Sequence, residues 1–228
     1  MAGRDITRLN IPMSINQGVS IEQQTNIYHI SPHSYEAFLS VDENLVESSI
    51  NMELKPIGFE ISIEVGNATR IQSEILVLKF ANRFYGADYE VAKAINLTEE
   101  VLLNKMLLKK NYALLPSQEL IASPYILFLQ VGELYEFGYD QIRQFAMDSL
   151  QILAQIAPGV EHIAMTIHGI GYGLDEYESL RAQIAGYFDA YTRKEYPSHL
   201  KRITIIERNA NRAKRIRTIL SLGCDQNM

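Results

Sequence analysis

His162-Ile163-Ala164-Met165-Thr166-Ile167 runs directly into His168-Gly169-Ile170-Gly171-Tyr172-Gly173. The first six residues are short and mostly apolar and read as a strand. The three alternating glycines read as a turn. A helical pattern then opens near Asp175 and continues through residues 175–191. Strand, glycine-rich loop and helix in that order form the repeating unit of an α/β domain.

The flanking segments repeat this alternation. Upstream, residues 139–156 place Ile142, Phe145, Ala146, Leu150 and Leu153 at helical spacing, and Pro158-Gly159 ends the run. Residues 125–131 and 112–115 read as two strands. Residues 98–110 read as a helix, with Thr98 as its cap and Lys109-Lys110 in its last turn. Residues 89–95 read as a shorter helix. Glu74-Ile75-Leu76-Val77-Leu78-Lys79-Phe80 is a nearly continuous apolar run, as a central strand covered on both faces requires. Residues 59–65 alternate strictly, as a half-buried strand does. Downstream, residues 202–207 predict a last strand and residues 210–220 a last helix. The expected architecture is therefore α/β, with helices on both faces of a mixed, largely parallel sheet.

Residues 1–57 differ, being rich in Asn, Gln, Ser and Glu with short alternating runs such as Ile27-Tyr28-His29-Ile30. They read as an N-terminal arm or a small β extension. The main domain is expected over residues 58–222 and a tail over residues 223–228.

Composition narrows the function classes. The chain has 228 residues, 47% hydrophobic and 21% charged, with a net charge of -6. That balance carries no electrostatic footprint for nucleic acid. The single cysteine, Cys224, excludes an internal disulfide and reads as a spectator thiol in the tail. No metal-ligand spacing is present, and no cofactor is expected. Nothing near Met1 reads as a signal peptide and no apolar stretch is long enough to span a membrane, so a cytoplasmic location is expected. The five histidines are scattered, and no nucleophile–base arrangement stands out.

Five stretches, in this order, resemble those of macro domains. Ile63-Glu64-Val65-Gly66-Asn67-Ala68-Thr69 is similar to the opening strand and its Gly-Asp-Ile-Thr turn. Residues 74–82 stand where the family has a strand ending in Asn-Ala-Ala-Asn. Residues 85–95 resemble the glycine-rich loop that leads into a helix, and residues 162–173 the strand with the second glycine loop. Residues 200–207 resemble the last core strand. The resemblance covers about 165 residues and extends to the N-terminal domain of leucyl aminopeptidases. It implies a three-layer α/β/α domain. It also implies a nucleotide-derived ligand, ADP-ribose or a related NAD-derived signal, of the kind sensed in bacterial signalling and defence.

The candidate ligand-binding residues are Asn67, Asn82, Gly86, Asp88, His168, Gly169, Gly171, Tyr172 and Gly173. Glycines allow close backbone approach to a phosphate, and a following helix N-terminus can hold the anion. Each residue also has a structural reading. The glycines can serve a turn alone. His168 can be a strand-end residue, and Asp175 and Glu176 can cap their helix. Tyr85, Tyr89 and Tyr172 can stack on a base or plug the cleft. Lys79 can neutralise a phosphate or lead its charge out to solvent. The five charges between Arg208 and Arg217 can face a partner or complement the helix dipole.

Departures from the family pattern bear on activity. Asn67 stands in place of the family's adenine-contacting Asp. The strand end reads Lys79-Phe80-Ala81-Asn82, retaining only Asn82, and the first loop keeps only Gly86. The expectation is a binding module without catalysis. The alternative is a ligand-free protein that assembles with itself or a partner through the N-terminal arm and the basic last helix. If catalysis occurred, it would be hydrolysis of an ADP-ribosyl or phosphoester bond, with Asn82 and Asp88 positioning the water.

Overall fold

The computed structural model describes residues 58–109 and 111–224. The expected N-terminal arm and the last four residues lie outside this range.

The strands are β1 (Glu60–Val65), β2 (Ile75–Phe80), β3 (Tyr112–Pro116), β4 (Tyr125–Gln130), β5 (His162–Thr166) and β6 (Arg202–Glu207). The helices are α1 (Ala87–Ala94), α2 (Glu99–Lys109), α3 (Tyr139–Ile156), α4 (Glu176–Arg193) and α5 (Ala210–Cys224). The strands form one six-stranded sheet in the order β1-β6-β5-β2-β4-β3. Every pairing is parallel except β3 with β4.

Side-chain alternation on the strands builds two cores. Ile75 and Val77 of β2 face a cluster with Ile142, Leu150, Leu180, Ile184 and Ile216, from α3, α4 and α5. Leu76, Leu78 and Phe80 face the other way, toward Val91, Leu102 and Met106 of α1 and α2. All six residues of β2 are buried, as the continuous apolar run predicts. The result is a three-layer α/β/α sandwich, as the sequence implies.

Local chemistry sets the helix starts. The Asp175 carboxylate accepts from the amides of Tyr177 and Glu178, capping α4. The Thr98 hydroxyl accepts from Val101 at 3.3 Å ahead of α2. The last helix continues to Cys224, four residues beyond its expected end, so the cysteine closes a helix instead of standing in a loose tail.

The order of strands positions the site. From β2 the chain runs to the edge strand β3 and returns through β4 on one side, then crosses to β5 and β6 on the other. The carboxyl ends of β2 and β5 flank this reversal, where doubly wound sheets leave a crevice for ligands.

Candidate functional site

A cavity of about 370 Å³ lies at this reversal. The loop before α1 supplies Tyr85 and Gly86, the first turn of α1 supplies Asp88, and the loop after β5 supplies His168 through Tyr172. The end of β6 adds a wall, with Glu207, Arg208, Asn209 and Arg212. The sequence reading placed the first two loops here. It missed the third wall, because Glu207 and Arg208 read only as a strand end and a charge run. The one available signal was that β6, like β2 and β5, is parallel and ends on the same side.

The floor is a buried ion pair. Lys79 Nζ lies 2.6 Å from Asp88 Oδ2, and both side chains are at most 3% exposed. Lys79 neither leads its charge to solvent nor stands free for a phosphate, because Asp88 on the facing helix meets it. Burial works against the Lys79 charge, but Asp88 and Tyr172 outweigh it and hold its pKa above the ordinary lysine value. Burial pushes the Asp88 carboxyl up to about 6, against the opposing pull of Lys79. Asp88 Oδ1 is buried and has no hydrogen-bond partner among the described residues.

Two tyrosines stand over the pair. The Lys79 ammonium is 5.5 Å from the Tyr172 ring centroid and 6.0 Å from that of Tyr85. Both distances fall within cation–π range. Burial raises the Tyr172 phenol, against the pull of Lys79. Tyr172 and Tyr85 remain 37% and 38% exposed, and the cavity beside them stays open, so neither ring plugs it. Tyr89 is 54% exposed and is not among the residues that line the cavity.

The predicted residues divide between the cavity and its surroundings. Asn67 holds its own turn, accepting from the amide and hydroxyl of Thr69 and donating to Glu90. Asn82 is committed away from the floor, donating to Glu133 and accepting from Gln130. The water-positioning pair Asn82 and Asp88 is therefore not assembled. The His168 ring is 3% exposed and sits edge-on to Phe137 and Phe145, with centroids 5.9 and 4.7 Å away. Burial, and next the charge of Lys79, lower its pKa well below the ordinary value. A neutral imidazole held in an aromatic box has little reach for a ligand.

The second glycine loop winds into a short 3-10 turn, Ile170–Tyr172. The amides of Tyr172 and Leu174 both donate to Gly169 O. Gly169 has φ +92°, and a Cβ there would meet Leu174, Ser179 and Ile142 within 2.9 Å. Gly171 has open space around it, and Gly173 is left-handed with φ +91°.

Four of the five basic residues on or near the last helix are engaged within the domain. Arg215 grips Glu176 through two nitrogens, Arg212 meets Glu207, and Arg208 meets Glu90 at 2.6 Å. Arg217 donates to the backbone of Ile63. The helix is thus tied to β1 and to α4, not presented as a free positive surface. No group of three or more potential metal ligands occurs among the described residues, and no described helix is long and apolar enough to cross a membrane.

No family model matches the chain, and no curated protein matches it. Solved structures do resemble it. The Oceanobacillus iheyensis macrodomain with ADP is 10% identical, with 75% of this chain and 95% of that one covered and a TM-score of 0.60. The Trypanosoma brucei macrodomain in complex with ADP is 16% identical over 71% and 69% of the two chains, with a TM-score of 0.55. The same protein's ADP-ribose complex is 15% identical over 87% and 95%, with a TM-score of 0.53. Likeness at such identities speaks to backbone architecture, and on it this chain has a macrodomain-like fold.

Proposed function

We propose that this domain is a non-catalytic binding module for a nucleotide-derived ligand, ADP-ribose or a related NAD-derived signal. The observation that carries this reading is the open cleft at the sheet's reversal point, walled by Tyr85 and Tyr172 over a buried polar floor. Its volume suits a small molecule, and its position is the ligand crevice of open α/β sheets. Similar structures are macrodomains in complex with ADP and ADP-ribose, which supports the same ligand class here.

The floor supports the non-catalytic part of this reading. A positioned carboxylate is one common way to orient the attacking water in hydrolysis. In this chain Asp88 is bonded to Lys79, and Asn82 is bonded to Gln130 and Glu133. A cytoplasmic sensor in a bacterial signalling or defence system fits such a module.

Titration calorimetry with ADP-ribose tests the reading. Saturable heat is expected from the wild type and a strongly reduced signal from Tyr172→Ala. An ADP-ribosylated peptide should be left intact after prolonged incubation. No heat at millimolar ADP-ribose would sink the binding reading, and steady release of ADP-ribose would sink the non-catalytic one.

A further inference from the structure

The charges of the cleft cancel. Its walls and floor carry three cations, Lys79, Arg208 and Arg212, and three carboxylates, Asp88, Glu90 and Glu207. Each cation already holds one of the carboxylates: Lys79 with Asp88 and Arg208 with Glu90, both at 2.6 Å, and Arg212 with Glu207 at 3.2 Å. A diphosphate would have to break these pairs or lie against their carboxylates. That repulsion is stronger where water is partly excluded.

Part of the loop backbone is turned inward. The amides of Tyr172 and Leu174 close the 3-10 turn on Gly169 O. The glycine-rich loop has spent these two donors on itself, where a phosphate cradle would point them at the ligand, and among the amides of residues 170–174 only those of Ile170 and Gly171 are not turned onto a loop carbonyl.

Three buried side-chain atoms on residues that line the cavity have no hydrogen-bond partner among the described residues: Asp88 Oδ1, His168 Nε2 and Arg212 Nε, the last 3.5 Å from the Glu176 carboxylate. Asp88 Oδ1 is the carboxylate acceptor among them. An ionised acceptor calls for an N–H or O–H donor. The Tyr85 and Tyr172 rings offer apolar faces to a flat partner. Resting on the reading that this cleft binds a nucleotide-derived ligand, we infer that it recognises the uncharged base-and-ribose end and draws little affinity from the phosphates.

The test compares adenosine, guanosine, cytidine, uridine, ADP, ADP-ribose and inorganic pyrophosphate by calorimetry on the full chain, at low and high salt. At least one nucleoside should bind. For adenosine the affinity should lie within about threefold of that of ADP. Pyrophosphate should neither bind nor compete, and salt should change little. Tyr172→Ala, at a part-exposed position that the fold tolerates, should weaken nucleoside binding by about tenfold or more. If ADP binds at least about tenfold tighter than adenosine, or pyrophosphate displaces it, the inference is overturned while the nucleotide-binding reading stands. If ADP-ribose binds and no nucleoside does, the outcome is the same. If none of the seven binds, both readings fall.

Discussion

The two loops that frame the cleft are built on opposite plans. The first, between β2 and α1, holds one glycine and brings a charge to the cleft: Asp88, in the first turn of α1, closes on Lys79. The second, between β5 and α4, holds Gly169, Gly171 and Gly173 and carries almost none. Its glycines serve a tight turn, a crowded packing site and a left-handed exit, and Tyr172 is its exposed aromatic side chain. The number of glycines in a loop is thus a poor guide to anion binding. What matters is whether the amides point at a ligand or back into the loop.

The buried pair flanking the first loop offers the largest effect with which to break this contrast. Lys79→Ala leaves the Asp88 carboxylate alone in a dry site and should cost about 3–5 kcal/mol in urea unfolding. A Lys79→Leu/Asp88→Leu double substitution should recover most of that loss, since it also removes the stranded charge. Simple additivity of the two single changes would show that the residues do not act as a pair.

In the second loop, Gly169→Ala should cost about 3 kcal/mol. The new Cβ meets three atoms within 2.9 Å and the backbone is held at φ +92°. A thermal midpoint equal to that of the wild type would remove Gly169 from the packing role.

His168 sharpens the contrast through pH. Its folded pKa lies well below the unfolded 6.5, so the folded state resists protonation. The stability it protects is present above pH 6.5 and is lost as pH falls below that value. His168→Leu removes this linkage. Relative to wild type, the variant should gain about 2 kcal/mol between about pH 7 and about pH 5 in urea melts. Asp88 acts in the opposite sense: its raised pKa favours the folded state as pH falls through about 6. It is present in both proteins, so the difference isolates the histidine. A pH-independent difference would mean that the ring takes up a proton in place.

The smallest effects separate the remaining glycines. Gly86 has φ +55° but nothing within 4 Å of a Cβ, so Gly86→Ala should cost about 1–2 kcal/mol from backbone strain alone. Gly171 has neither strain nor crowding, and Gly171→Ala should stay within about 0.5 kcal/mol. Equal losses at both positions would erase the distinction between a glycine required by conformation and one that merely fills a turn.

The strands and helices were legible because their signals are local. The unbroken apolar run of β2, the strict alternation of β1 and the 3.6-residue spacing of α3 each express one element's burial in its own residues. Caps at Thr98 and Asp175 were legible for the same reason, since a cap lies within three residues of the amides it serves. Lys79 stands out in the sequence as a charge at the end of an apolar strand, but its partner does not. Asp88 lies nine residues on, across a loop whose path no periodicity encodes. The box around His168 was also hidden, because Phe137 and Phe145 reach it from another turn and helix. The basic run read as a surface because its carboxylate partners, Glu90, Glu176 and Glu207, belong to three other elements.

By itself, then, the sequence determined a layered α/β domain, the place of each strand and helix in the chain, and two loops poised at strand ends. The tertiary structure alone decided that three parallel strands end at one crevice, that its six charges cancel in pairs, and that one carboxylate oxygen is left without a partner. Secondary structure follows from spacing within a few residues. The charge state and open valences of a site follow from which distant side chains the fold brings within about 3 Å of one another.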